Sequence, residues 1–561
     1  MTTTSPTRRR RAGVTAGAIT TIAAAAILLS GCAAPAPGAS SATPAAAQLG
    51  GTLTVLTQAT SIELDPATSL NLPTTWLGLI TRRLTTWKLE AGSTPEVVPD
   101  LATDTGTPSD DGTTWTYTLK DGIAFEDGTP ITSADIKYGV ERSYAPQLSG
   151  GLAYHKALLV GGDEYAGPYD GAELDSIETP DDKTIVFHLT TAYGDWPWIV
   201  AMNPFSPVPA AQDDPATYTR KPVASGPYRV ESNENGTSLT LVRNEHWDRA
   251  TDEARTAAPD EIVFKESQES STTVQSLISD VGEATSSINS EPLDAAQLAL
   301  VNGNPAAKAR MITSGAGPLA YLAINTERIT DLRVRRALEY AVDRKSNILA
   351  QGGEAAAVPA TTLITPGIPG REEFDSYPSG DQGDVDKAKA LLADAGATGL
   401  TLSLWVQNDP TSQAQGQALQ QALERTGITI DLRVLDPSVW YADATGDDPD
   451  YDLILNWWLA DYPSAASNLF PLYDSSQIGN GGFNLSRYSG QDEAIAAATA
   501  EIDPKQSQAD WVAIDRALMD AAVAVPLSFA RQSFLGGSEV ADYFVTDYPG
   551  YQNYLEISIA Q

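Results

Sequence analysis

The chain has 561 residues, with 72 Asp and Glu against 36 Lys and Arg, a formal net charge of −36, three His and a single Cys. A molecule this acidic repels nucleic acid and anionic lipid, and one Cys allows no internal disulfide framework and no thiolate metal cluster. The acids are scattered among Ala, Thr and Gly, which reads as a solvated surface around an apolar core, and the length suffices for two or three domains.

In chain order, Arg8, Arg9, Arg10 and Arg11 precede the uncharged run from Ala12 to Leu29, which ends in Leu29, Ser30, Gly31 and Cys32. A basic cluster, an apolar stretch and small residues form a cleavable leader, expected over 1–31. The closing four residues resemble a bacterial lipobox, which implies a lipid on the Cys32 thiol and a mature chain outside the cytoplasm. The alternative is a membrane-spanning anchor, since about 18 apolar residues can span, although Ala, Gly and Thr make this run a weak one. Both readings leave the remaining chain at the outer membrane surface. Residues 32–49, with Pro35, Pro37 and Pro44, lack periodicity and read as a flexible tether.

The body alternates strand and helix patterns. Leu53 and Val55 alternate with Thr52 and Thr54 in a strand; Trp115, Tyr117 and Leu119 do so with Thr neighbours. Turns at Asp121-Gly122 and Asp127-Gly128 around Ile123 and Phe125 suggest a meander of short antiparallel strands. Thr132 and Ser133 offer N-caps for a helix through Arg142. Farther on, Asp384 to Ala395 reads as a helix stopped by Gly396. Leu400 to Val406, Ser412 to Arg425 and Ile428 to Val434 form a βαβ unit with Gly427 ending its helix. Leu453 to Leu455 make a short buried strand that runs into Trp457, Trp458, Leu459, Ala460, Asp461, Tyr462 and Pro463. Ligands of α/β sheets sit beyond the carboxyl ends of strands, so this loop is the first candidate site.

Several segments together carry a resemblance. The most specific runs from Pro99, Asp100, Leu101 and Ala102 through Asp110, Asp111, Gly112, Trp115, Tyr117, Leu119, Lys120, Asp121, Gly122, Phe125, Asp127, Gly128, Thr129, Pro130 and Thr132 to Asp135 and Lys137. Gly226-Pro227-Tyr228, Leu241 to Asn244 with Trp247, and Tyr321 to Asn325 with Val334 to Arg344 follow, and Ala460-Asp461-Tyr462 closes the series. Over nearly all of 50–561 the chain resembles the extracytoplasmic solute-binding proteins of ABC importers, in the family that includes oligopeptide- and dipeptide-binding proteins. The resemblance implies an α/β, two-lobed periplasmic-binding-protein-like fold (class II, cluster C) with an extra domain and a hinge. Lobe I would join 50–87, 223–317 and 532–561, the extra domain would span 88–222, and lobe II 318–531. Crossings near Gly315 to Pro318 and Ala530 to Ser533 would form the hinge.

By the same resemblance Asp461 pairs with the α-ammonium group of a peptide, in keeping with the high cost of an unpaired buried ion. Trp458 and Tyr462 are expected to line the site, and Trp457 to face the core. Trp405 at a strand end, and Trp440 with Tyr441 in a loop, are further lining candidates, with core packing the alternative. Glu63, in the exit loop of the first strand (Ser61 to Pro66), is a weaker one, beside main chain that can pair with an extended ligand. Family members that hold a peptide carboxylate use a basic residue near Leu404 to Asp409 or three positions before Trp458; the latter is Leu455, and neither place offers a cation.

No catalytic residues, metal or cofactor are expected. HExxH, GxSxG and SxxK are absent, and His155, His188 and His246 are widely separated, so a secreted hydrolase is the weaker reading. Scarce His and Met and the lack of a free Cys oppose direct ligation of a soft metal. The partners expected are a peptide or other small solute, the membrane permease and the membrane itself through the lipid, for a protein acting as a monomer; an oligosaccharide or metal chelate remains open as cargo.

Overall fold

The computed structural model describes residues 49–560. The leader, Cys32 and all of the tether but Leu49 lie outside the described residues.

Strand Thr52–Leu56 sits inside a five-stranded sheet, parallel to both Glu261–Lys265 and Ser287–Asn289. Flanking on both sides explains why Leu53, Val55 and even Thr54 are buried, as strands of parallel sheets generally are. Antiparallel Ser238–Arg243 and Tyr228–Glu234 complete the sheet. A second sheet holds Thr107–Pro108, Thr114–Thr118, Thr184–His188 and Ile177–Asp181 in that spatial order, with Trp115 and Tyr117 turned into its core. The meander expected after Thr118 does not form. Strand Thr114–Thr118 pairs instead with the distant Thr184–His188, and Ile123 and Phe125 flank an isolated bridge between Ala124 and Pro130. The two glycine turns, Gly122 and Gly128 at φ 75° and 84°, leave too few residues between them for a ladder. Helix Ser133–Arg142 follows as expected; the Asp135 carboxylate accepts from Thr132 N at 2.8 Å in a capping box.

The third sheet orders Ala357–Pro359, Ala524–Ala530, Leu319–Ile324, Leu453–Trp458, Thr401–Gln407 and Thr429–Leu435. The βαβ unit is present: the last two strands are parallel, and helix Pro410–Glu424 connects them. That helix starts two residues earlier than Ser412, because Asp409 caps it and Pro410 fits its first turn.

The chain passes between the first and third sheets twice, and the two crossings lie side by side. Ser314 N donates to Gln532 O and Ala530 N to Pro318 O, both at 2.9 Å. Asp547 Oδ1 accepts from Gly315 N at 2.6 Å, and a Cβ at Gly315 would stand 2.4 Å from that oxygen, so a larger residue there would have to displace the Asp547 carboxylate. Asp100 of the Pro-Asp-Leu-Ala motif is 1% exposed. It accepts from Arg82 Nε at 2.7 Å and from both Arg255 Nη atoms at 2.9 Å. Burial by itself would raise its pKa, yet Arg255 and Arg82 hold the carboxyl well below the usual carboxylate range.

Candidate functional site

Strand Leu453–Trp458 outruns the expected Leu455 end by three residues and delivers the 459–463 loop to the sheet edge. Ser464 caps the next helix, Ala465–Tyr473, and Ser467 in its first turn accepts through Oγ from Asp461 N at 2.7 Å. The loop is thereby anchored by the start of its own helix.

Segments distant in sequence meet this loop. Tyr154 OH donates to Asp461 Oδ2 at 2.6 Å, although 307 residues separate them. Tyr193 and Tyr462 share a hydroxyl hydrogen bond at 2.7 Å, Ser464 Oγ donates to Asp195 Oδ2, and Tyr548 OH donates to Ala460 O at 2.7 Å. The Tyr154 and Tyr462 rings meet edge to face at 5.5 Å. Residues of 88–222 and 532–561 therefore converge on the 460–464 loop, and Tyr154 alone among them bonds the Asp461 carboxylate. Among the described residues no Lys or Arg pairs with Asp461; burial raises its pKa, and the Tyr154 hydrogen bond offsets part of that rise. Asp195 is likewise pushed up to about 6 by burial. An acid buried without a counter-charge meets its desolvation cost by a raised pKa and by hydrogen bonds such as the one from Tyr154.

Trp458 is half-buried. Its Nε1 donates to Ser467 O at 3.0 Å and its ring packs on Phe483 at 5.4 Å; Phe483 in turn meets Tyr441 at 5.6 Å. An aromatic wall thus flanks the loop. Trp457, expected in the core, is also half-buried. Tyr462 is fully buried and uses its hydroxyl to join segments.

Two lining expectations need correction. Trp405 is 4% exposed and packs edge-on against Tyr451. Its register partner is Ile454, four residues before Trp458, which is roughly 13 Å along the strand at the usual rise. Trp440 is equally buried and lies in helix Pro437–Ala444 rather than in a loop, because Asp436 caps that helix and Pro437 fits its first position. Core packing, the alternative for both, is what the structure has.

Glu63 is exposed at the exit of strand Thr52–Leu56; its Oε1 accepts from Asp65 N at 2.9 Å. Asp65 itself is clamped by both Nη atoms of Arg142 at 2.6 and 2.9 Å. Glu63 borders a cavity of about 400 Å³ whose wall includes Trp76 and Phe264. His155 is buried, accepts or donates at Ser143, and is pushed down to about 3 by burial; His188 pairs with Glu178 on the surface. Among the described residues no group of three or more His, Cys, Asp or Glu is arranged for a metal ion. Tyr154, Tyr193, Asp195 and Tyr548 were invisible to sequence reasoning, since nothing local marks residues whose partners are hundreds of positions away.

Residues 96–480 match the family described as bacterial extracellular solute-binding proteins, family 5 (Middle). The chain belongs to that family, and its fold is the two-lobed α/β architecture of these binding proteins. The chain is 27% identical over 490 residues to the periplasmic murein peptide-binding protein MppA of Escherichia coli strain K12, covering 83% of this chain and 85% of that protein. It is 27% identical over 465 residues to the probable D,D-dipeptide-binding periplasmic protein DdpA of the same strain, with 80% and 82% covered. Among solved structures, the clavulanic acid biosynthesis oligopeptide binding protein 2 superposes with a TM-score of 0.84 at 32% identity, covering 92% of this chain and 96% of the other.

Proposed function

We propose that this protein is the peptide-capturing component of an ABC importer, held to the outer membrane surface by a lipid on Cys32. It takes a peptide between two lobes and presents it unchanged to the membrane permease, performing no chemistry of its own. Lobe I is 50–87 with 223–317 and 532–561, carrying 88–222 as its extra domain; lobe II is 318–531, and the paired crossings at 315–318 and 530–533 are the hinge.

The observation that carries the reading is Asp461: an acid with a burial-raised pKa, gripped by Tyr154 from the opposing segment and without a cationic partner among the described residues. A peptide's α-ammonium group supplies the missing charge. Trp458 gives apolar area beside it, and the Glu63 loop offers main chain to an extended ligand. The peptide relatives MppA and DdpA and the oligopeptide-binding structure support this cargo over an oligosaccharide or chelate.

Native mass spectrometry of protein isolated from its own cells tests the proposal. A co-purified ligand whose fragments are those of an intact peptide supports it; a sugar, a chelate or a cleaved product overturns it.

A further inference from the structure

The lobe I cavity has a chemistry of its own. It opens where strands Thr52–Leu56 and Glu261–Lys265 end at their carboxyl sides, the place where ligands bind in such sheets. Trp76 meets Phe264 edge to face at 6.1 Å and Tyr554 at 6.2 Å, so its indole is held by two further rings. Trp76 Nε1 donates to Glu63 O at 3.3 Å, which fixes the indole next to the loop bearing the Glu63 carboxylate. One oxygen of that carboxylate caps Asp65 N, while Oε2 has no hydrogen bond among the described residues. No Lys, Arg or His is among the described residues lining the cavity, and Glu63 is its one ionisable group. A second carboxylate, Glu291, lies just behind, accepting from Thr57 Oγ1 at 2.6 Å and Gln58 N at 3.0 Å. Leu70, 64% exposed, stands at the rim.

An aromatic wall, a carboxylate with a free oxygen, a second acid behind it and no competing cation make a site for positive charge. We infer that this cavity is the subsite for a cationic side chain of the bound peptide, a guanidinium or ammonium group, with Trp76 and Phe264 as its wall, Glu63 as its counter-charge and Leu70 against its aliphatic stem. Long cationic side chains bury such stems on apolar surface while the head stays near polar groups. The volume, about 400 Å³, holds a long side chain together with several waters.

One short segment joins the rim of the cavity to the hydrogen-bond partner of Asp461. The 67–71 rim segment packs on Gly150 and Gly151, where a Cβ at Gly151 would come 2.3 Å from Ala67 O. Tyr154, the partner of Asp461, is three residues farther along. The proposed peptide has its terminal ammonium at Asp461 and the side chain of another of its residues in the cavity.

This inference rests on the peptide reading, and the test separates the two. Calorimetry would compare alanine pentapeptides carrying one arginine at each position in turn with the same peptides carrying citrulline, which keeps the shape and removes the charge. The expected result is that at one position arginine binds at least tenfold more tightly than citrulline, and that Trp76→Leu and Glu63→Gln each bring this ratio toward one. Peptides that bind with a ratio near one at every position, or a ratio that survives both substitutions, overturn the cationic subsite and leave the peptide reading standing. Failure of every peptide to bind, arginine and citrulline alike, overturns the peptide reading and the subsite with it.

Discussion

Replacing Asp461 by Asn removes one charge and little else. The amide keeps an oxygen for the Tyr154 hydroxyl, which now donates at 2.6 Å, and the main-chain bond from residue 461 to Ser467 is untouched. In the ligand-free protein the carboxylate has no cationic partner among the described residues and its pKa is raised by burial, so the Asn variant melts at the same temperature as the parent or higher. In the complex the substitution strands the ligand's ammonium group in a desolvated slot, and breaking a buried pair this way costs about 3–5 kcal/mol. Asp461 remains partly accessible, which favours the lower end, a loss of about 150-fold in affinity at about 1.4 kcal/mol per tenfold. Titration calorimetry at pH 7.5 with a tight-binding peptide, beside thermal melts of both proteins, gives the two numbers. The expected signature is opposite in sign: stability held or gained, binding lost. An affinity within about threefold of the parent, with the fold intact, would refute the role of Asp461.

Acidification gives a second expectation. The free carboxyl of Asp461 has a raised pKa and pairing with ammonium lowers it, so affinity is full well above the raised value and falls as the pH drops through it, with protons released on binding. Asp195 at the same join, pushed up to about 6, opposes this because its burial is favoured once protonated, so the titration is best read in an Asp195→Asn background. Asp100→Ala leaves Arg82 and Arg255 buried without their shared carboxylate, and chemical denaturation should show a loss of about 3–5 kcal/mol. Glu339 is fully buried, both its oxygens lack hydrogen bonds among the described residues, and burial raises its pKa to about 8 despite Arg344 at 3.9 Å. A group raised in this way contributes most stability below its unfolded pKa of 4.5 and loses that contribution as pH rises through 8. Glu339→Gln should therefore match the parent near pH 4 and exceed it by about 3 kcal/mol near pH 7, at 1.36 kcal/mol per unit. Melts across that range check it, and a constant difference would contradict the burial argument.

Local signals were legible where they sufficed. Alternation and a glycine stop place the βαβ unit, because Gly427 and the paired apolar strands act within a few residues, while the Asp409 cap that starts its helix at Pro410 was missed. The capping box at Thr132 is of the same kind. Pairing partners were not legible: Thr114–Thr118 finds Thr184–His188 across a long insertion, and nothing near Tyr117 encodes that choice. Register misled in the same way at Trp405, which a one-strand view puts at a strand end and which the pairing with Ile454 puts in the core. Asp461 could be found because a motif carried it, whereas Tyr154 sits in a five-residue helix whose sequence carries no mark of its distant partner. The surroundings of Asp461 were not readable, since Tyr154, Tyr193 and Tyr548 reach the 460–464 loop by tertiary contacts alone.

The most direct measurement is a crystal structure of the protein with a bound peptide. The account predicts the peptide enclosed between the lobes, chemically intact, its terminal nitrogen about 2.7–2.9 Å from a carboxylate oxygen of Asp461. A peptide seated elsewhere on the surface, or held between the lobes with Asp461 still bonded to Tyr154 alone, would contradict it.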